Sequence, residues 1–475
     1  MEEGIPTITN TPTTARSLWN DLKDAIRGTE ADYTQIGMGK AVFLLAVPMI
    51  LELMMESTFA VVDIYFVAAL GASAVATVGL TETYLFLLYS IGMGLATAVT
   101  AVIARRIGEK EKEKAGVAAV QAVALALVVS LPFAVAGIFY SRELLALMGA
   151  DAWTLEHGYG YMQWTLGGNV VVLLLFINNA IFRGAGDAAV SMRVLWIANG
   201  LNMLLDPALI FGWGPFPELG IEGAAIATLT GRGVGVAIQF WMLFHGSKHL
   251  RVFREQIRIH GETLTNIIRT SLGGIGQMIV AMLSWIFVMR ILAEFGSTVV
   301  AGATIAMRIM MFTLMPAWGM SNAVATLVGQ NLGANKPDRA ERSVWVTGTW
   351  NMAFLILVSI TYNLYSDRLV GIFTEEAAVI AVGSLWLTIV SYSYFVYGWW
   401  MVATQAFNGS GDTVTPTKIN LVFFWLIQIP LSYVLAKVLG FGYHGVFWAI
   451  FVSETSVGIF TLWLFSRGKW KTVKV

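Results

Sequence analysis

Residues 115–140 read AGVAAVQAVALALVVSLPFAVAGIFY, an uncharged and almost wholly apolar run. About 20 apolar residues in a helix cross the hydrocarbon of a bilayer, so this run is long enough to span one. No turn-rich alternation interrupts it, which makes it a helix rather than a barrel strand. On either side lie further segments of the same kind, at about 42–69, 76–103, 156–182, 188–212 and 221–245. A charged connection at 246–262 is followed by six more, at about 264–294, 300–328, 340–364, 378–407, 415–438 and 444–466.

The whole chain agrees with that reading. Of its 475 residues 57% are apolar and 13% charged, against about a quarter charged in soluble domains. Its mean hydropathy is +0.69. A soluble chain of this composition would need several cores and polar helix faces, not unbroken apolar runs. The expected fold is an all-α membrane protein of twelve transmembrane helices.

Other totals exclude functions. Thirty basic and thirty acidic residues leave no net charge to draw nucleic acid. The absence of cysteine removes thiolate metal sites and thiol nucleophiles. The five histidines (His157, His245, His249, His260 and His444) sit in or beside polar connections, so imidazole chemistry at membrane depth is not expected. The turn Gly184-Ala-Gly186-Asp187 follows no strand, and no GxxxxGK[ST] stretch is present, so neither dinucleotide binding nor direct use of ATP is expected. No metal, cofactor or enzyme activity is expected.

Loop charge sets orientation. Eighteen Lys and Arg residues fall in the loops and tail of one side, among them Arg105, Arg106, Lys248, Arg251, Lys336, Arg339 and Lys474; the other side holds Arg142, Arg368 and Lys437. This places both termini in the cytoplasm of a multi-pass protein of the plasma (inner) membrane. Residues 1–40 are a polar cytoplasmic segment without a signal-peptide core. Leu18, Trp19, Leu22, Ala25 and Ile26 share one helical face there, suited to the membrane surface or to solvent.

Sliding the second half over the first by 225 positions aligns Gly71 with Gly296, Gly158 with Gly383, Arg183-Gly-Ala-Gly-Asp187 with Asn408-Gly-Ser-Gly-Asp412, and Gly220 with Gly445. Each half holds six helices, so both enter from the same side. Parallel repeats of this kind form two lobes related by a pseudo-two-fold axis along the membrane normal, with a transport path between them. The expected domains are an N-lobe at 41–247, a linker at 248–262 and a C-lobe with a short tail at 263–475.

Asymmetry between the halves marks candidates. Asp63 aligns with Val288, Asp206 with Leu431, Asn202 with Ile427, Glu56 with Ala281 and Glu52 with Gln277. Deep acids are therefore expected in the first lobe alone. Glu52, Glu56 and Asp63 fall on one face of helix 1, over about 16 Å of rise. Pro48 precedes them and is expected to bend or weaken that helix. Asn202 and Asp206 share a face of helix 5.

An ionised carboxylate at bilayer depth costs at least about 2.5–3.5 kcal/mol, so each acid must line water, pair with a cation or hold a proton. Asp63 and Asp206, beside Asn and Thr oxygens, could hold H⁺ or Na⁺. The alternative is an ion pair with an intramembrane arginine, Arg232, Arg290 or Arg308. Glu52 and Glu56 are read equally either way, and Glu82 and Glu454 are read as structural. In the second lobe, aromatic residues of helix 10 (Tyr394 and Tyr397 among them) and methionines including Met278 suit a pocket for lipophilic cations. With Glu52 and Gln277 they are the candidate substrate contacts, and lipid-facing packing accounts for most of them equally well.

Across residues 40–466 the sequence resembles the multidrug and toxic compound extrusion (MATE) transporters. The resemblance is carried by Pro48-Met-Ile, Val62-Asp-Ile-Tyr-Phe-Val67, Ile103-Ala-Arg-Arg-Ile-Gly108, Arg183-Gly-Ala-Gly-Asp187, Asn199-Gly-Leu-Asn-Met-Leu-Leu-Asp-Pro207 and Gly220-Ile-Glu-Gly-Ala-Ala-Ile-Ala-Thr228. Its nearest likeness is to DinF-like and archaeal members. It implies efflux of organic cations or lipophilic drugs in exchange for H⁺ or Na⁺, by a chain acting as a monomer. It further implies ion coupling at Asp63, Asn202 and Asp206, with Tyr161, Asn179 and Thr228 beside them, and a bending role for Pro48. Glu56 departs from that branch, which commonly has an uncharged polar residue there, and joins the set as a third acid. The rival readings are a flippase for lipid-linked sugars, which needs a cationic cavity, and a membrane-embedded enzyme.

Overall fold

The computed structural model describes residues 15–246 and 249–473; Lys248 and Lys474, and the side chain of Leu18, lie outside that description. A short helix α1 (Ala15–Arg27) leads into the first lobe. Its spans are α2 (Met38–Ala68), α3 (Ala72–Gly108), α4 (Lys112–Leu147), the pair α5 (Tyr159–Gly167) and α6 (Asn169–Ala185), α7 (Ala188–Ile210) and α8 (Ile221–His245). The second lobe follows with α9 (Gly261–Ala293), α10 (Ser297–Gly333), α11 (Pro337–Gly371), the pair α12 (Ala377–Ser391) and α13 (Tyr394–Ser410), α14 (Val414–Asn420) continued by α15 (Ile429–Tyr433), and α16 (Tyr443–Ser466).

Eleven of these elements or fused pairs are long and apolar enough to cross a bilayer alone. The pair α12–α13, bent by 63°, makes the twelfth crossing. The helices overrun the expected apolar segments at both ends, most at the ends of α4 and α11 away from the basic loops, which run on to Leu147 and Gly371. The crossing formed by α14 and α15 has π-helical turns at Leu421–Gln428 and Val434–Val438 around Pro430, whose ring cannot continue the normal helical hydrogen-bond ladder.

Each lobe has its own core. Leu88, Val99, Leu173 and Ile177 centre the first, and Tyr362, Trp386, Tyr394 and Phe447 the second. The repeat is visible in backbone geometry. Gly186 and Gly411 close α6 and α13 in left-handed conformations (φ 92° and 94°), which glycine adopts at no steric cost. The register of 225 does not hold to the end, however. Gly220 and Gly442 are the residues that start α8 and α16, and the N–H groups of Gly223 and Gly445 each donate to them at 3.0 Å. Gly220 therefore corresponds to Gly442, and Gly445 to Gly223. The distorted turns around Pro430 and the shorter connection after them shift the last crossing to an offset of 222.

α2 runs as one continuous helix through Pro48, and the crossing broken into two helices is the tenth. The lobes meet where glycines allow backbones to touch, the packing mode that lipid favours. A Cβ on Gly94 would lie 2.3 Å from the Ile275 nitrogen, and one on Gly319 would lie 2.7 Å from the Ile50 Cα. Nearer the basic loops, a Cβ on Gly333 would lie 2.2 Å from the Arg105 carbonyl. Thr326 Oγ1 donates to the Arg183 carbonyl at 2.9 Å, and Gln330 Nε2 to the Gly184 carbonyl at 3.1 Å. Among the described residues, these inter-lobe contacts gather in the helix halves nearest the basic loops.

The N-terminal segment crosses the same junction. Ala25 is buried against it, whereas Trp19 and Ile26 remain exposed. Asp21 pairs with Lys40 at 2.7 Å. From the second lobe, Lys336 Nζ donates to the Thr34 carbonyl at 2.9 Å and Arg339 to the Tyr33 carbonyl at 3.1 Å.

Candidate functional site

The polar residues of the first lobe form a file along its interior. At the end near the basic loops, Arg183 on α6 reaches Glu52 on α2 at 3.3 Å, and Asn179 Nδ2 donates to the same Glu52 oxygen at 3.4 Å. Gln239 on α8 donates to Asn179 Oδ1 at 2.7 Å. One turn further along α2, Glu56 accepts from Arg232 of α8 and from Asn199 of α7, each at 2.9 Å. Arg232 also lies over the Phe59 ring at 5.5 Å. Each glutamate is thus engaged by an arginine and an asparagine, which is how a charge at this depth becomes tolerable.

The aspartates are held differently. Asp206 on α7 is fully buried, and among the described residues its Oδ1 has no partner. Its Oδ2 accepts from Asn202 Nδ2 at 2.9 Å when the amide is turned to satisfy its neighbours; Asn202 Oδ1 then accepts from Thr228 Oγ1 at 2.9 Å. Asp63 on α2 is half-buried, and its Oδ1 likewise has no partner. Asp63 lies within electrostatic reach of Asp206, Arg232 and Tyr161, yet it forms no ion pair among the described residues. Tyr161 on α5 is buried close by, and Thr165 Oγ1 bonds its carbonyl at 2.7 Å.

The structure therefore brings Asp63, Asp206, Asn202, Thr228 and Tyr161 together in the half of the first lobe away from the basic loops. Glu52, Glu56 and Asn179 sit deeper in the same file. Of the three arginines weighed as partners, only Arg232 takes that part. Arg290 lines a separate crevice of about 420 Å³ with Phe287, Ile429 and Tyr433, and Arg308 is exposed within reach of Glu82. The sequence alone does not mark Arg183, Asn199 or Gln239 as contacts of these acids. Arg183 and Asn199 stand in quoted motifs, but nothing in spacing along one helix shows which residue of another helix it will meet.

The second lobe departs from expectation in one respect. Tyr394 is buried in its core, with ring centroids 6.1 Å from both Tyr362 and Tyr397, and the Tyr397 ring lies tilted with its centroid 4.9 Å from that of Trp400. Gln277 is buried too, and Met278 is partly exposed. Against the aromatic row lies Glu454 of α16, 4% exposed, with its Oε2 at 2.7 Å from Ser393 Oγ. Deep acids are therefore not confined to the first lobe; an offset of 225 sets this one against Leu229, whereas the offset of 222 sets it against Arg232.

The MatE family model matches residues 48–208 and 274–434, one stretch in each lobe. The chain belongs to the MatE family. An FAD transporter of Shewanella oneidensis is 25% identical to this MATE protein, over 90% of this chain and 95% of its own. A probable multidrug resistance protein NorM of Thermotoga maritima is 24% identical, over 91% and 93%. A solved structure, described as the outward-facing conformation of a multidrug resistance MATE family transporter of the MOP superfamily, superposes with a TM-score of 0.86 at 23% identity, over 94% and 99% of the two chains. This MATE protein is thus a multi-pass membrane transporter rather than an enzyme, built from two six-helix lobes.

Proposed function

We propose that the chain is an antiporter that exports cationic, lipophilic small molecules in exchange for H⁺ or Na⁺ entering at Asp63 and Asp206. The observation that carries this reading is the contrast within one file. Glu52 and Glu56 each have an arginine, whereas Asp63 and Asp206 each keep an oxygen without a partner. Two carboxyls left open in a low-dielectric setting bind whichever cation reaches them, and their like charges make joint ionisation costly. Organic cation and coupling ion then compete for the same charge.

The basic loops support a cytoplasmic side of the inner membrane for the lobe junction and both termini. The inter-lobe contacts near that junction support an outward-facing arrangement, in which the aspartates take up the coupling ion from outside. Neutralisation removes the charge that holds the exported cation. The ion shifts the populations of the two lobe arrangements because it binds them differently. Pro48 leaves the Leu44 carbonyl of α2 without its helical donor and thereby offers that helix a point of bending during the change.

An anionic cargo such as FAD, or a pyrophosphate-linked sugar, fits this lobe less well. Both arginines of the file, Arg183 and Arg232, are already paired with glutamates. The reading is tested by efflux of a fluorescent organic cation from proteoliposomes under a pH gradient and a Na⁺ gradient imposed separately. Efflux driven by either gradient supports it; a cation that moves under neither, while an anionic cargo does, overturns it.

A further inference from the structure

The tenth crossing breaks by 63° between α12 and α13, at Tyr392 and Ser393. Ser393 is fully buried at this corner. Its Oγ lies 2.8 Å from the Val390 carbonyl at the end of α12 and 2.7 Å from Glu454 Oε2. A hydroxyl carries one proton and donates once, and a carbonyl can only accept. One serine proton shared between the two oxygens gives two weakened bonds; two full hydrogen bonds form at the same time only when Glu454 supplies the second proton: Glu454 Oε2–H to Ser393 Oγ, and Ser393 Oγ–H to the Val390 carbonyl. With an ionised Glu454, the single serine proton would turn to the carboxylate, leaving two acceptor oxygens facing each other at 2.8 Å.

The surroundings point the same way. Glu454 is the twelfth residue of the 24-residue α16, at mid-membrane depth, and makes no ion pair among the described residues. The titratable groups that face it are the phenols of Tyr394 and Tyr397 on α13. Among the described residues, no charged side chain of α9, α12, α14 or α15 acts on it. With the register of 222, Glu454 occupies the place that Arg232 holds in the first lobe. Side-chain contacts support that register: Ser453 Oγ donates to the Phe423 carbonyl, and a Cβ on its counterpart Gly231 would lie against the Ala198 carbonyl. Arg232 has Glu56 as counter-charge, but the residue corresponding to Glu56 in the second lobe is Ala281. The fold thus accepts an ionisable group at this place in both lobes and neutralises it with an ion only in the first.

We propose that Glu454 is a proton-binding site of the second lobe, its neutral carboxyl completing the chain Glu454–Ser393–Val390 that holds the tenth crossing bent. When the proton leaves to water, the Ser393 hydroxyl turns to the carboxylate, the Val390 carbonyl loses its bond to Ser393 Oγ, and α12 and α13 are free to realign. This site is separate from the aspartates of the first lobe and does not depend on their role.

Infrared difference spectra of the full-length protein in proteoliposomes, taken from acid to alkaline pH, test it together with a distance between spin labels. The labels go on cysteines introduced at Ala381 on α12 and Val414 just beyond α13, the chain having none of its own. A protonated-carboxyl band that disappears on alkalinisation is expected in the wild type and in the Asp63→Asn/Asp206→Asn double variant, and is absent in Glu454→Gln. The label distance shifts with pH in the wild type and stays fixed in Glu454→Gln. Ser393→Ala leaves the carboxyl in place without its acceptor, so its band moves to higher frequency; this arm decides the matter if Glu454→Gln fails to fold. A Glu454→Gln protein with every titrating band and the same pH-dependent distance, or a band that Ser393→Ala does not move, overturns the proposal.

Discussion

Arg232 of α8 holds the Glu56 carboxylate of α2 at 2.9 Å, and this pair separates the neutralised acids of the first lobe from the open ones. The arginine side chain is 6% exposed. Removing its partner strands a buried charge, which costs about 3–5 kcal/mol, whereas replacing both members by apolar groups of similar size is close to neutral. Glu56→Gln is therefore expected to lower the thermal unfolding midpoint in detergent sharply, and Glu56→Met/Arg232→Met to recover most of the loss. A Glu56→Gln protein as stable as the wild type contradicts the pairing.

For the aspartates the expected effect is on transport, not on stability. Asp206→Asn and Asp63→Asn remove carboxylates that form no ion pair among the described residues, so each variant is expected to fold as well as the wild type. Gradient-driven efflux falls by tenfold or more in each, equivalent to about 1.4 kcal/mol or more. Asn202→Ala, which removes a hydrogen-bond donor from Asp206, costs less, about 1 kcal/mol or roughly fivefold. Initial rates from vesicles of equal protein content check the order.

The glycines at the lobe junction govern which arrangement is populated. A side chain on Gly94 would meet the Ile275 backbone at 2.3 Å, where nothing flexible can yield. Gly94→Val is expected to part the lobes at the basic-loop end while leaving each lobe folded. Cysteines introduced singly at the junction into this cysteine-free chain then become open to a reagent applied from that side. Unchanged labelling contradicts the assignment of the junction as the closed end.

The N-terminal segment adds a pH-dependent element to the same junction. Burial pushes the Asp32 carboxyl up, but hydrogen bonds from the Thr34 side chain and backbone and from Gln35 outweigh it and hold the carboxyl below its ordinary value of 3.8. Its contribution is therefore present above that value and is lost as pH falls through the lower, folded one. Labelling of a cysteine at Glu30 is expected to rise only in strong acid. Asp32→Asn should label faster at neutral pH and lose the acid step.

Much of this was legible in sequence. Twelve apolar runs fixed the crossings, because hydrocarbon thickness and backbone satisfaction leave few alternatives. The acids on α2 and α7 stood out because the repeat offered an internal control. Partners across helices did not stand out: that Arg183 meets Glu52, and Asn199 meets Glu56, depends on packing that spacing along one helix does not encode. What escaped for Glu454, read as structural, was its place opposite Arg232. Its crossing is out of register by three residues, after a connection whose π-helical turns and shortened loop no apolar pattern reveals.

The competition of substrate and coupling ion for Asp63 and Asp206 is tested most directly by ion release on substrate binding. A saturating organic cation is added to the purified protein in weakly buffered detergent solution, with H⁺ and Na⁺ followed by selective electrodes. Release of H⁺ or Na⁺ that vanishes in Asp63→Asn/Asp206→Asn is the expected result; tight binding of the cation with neither ion released contradicts it.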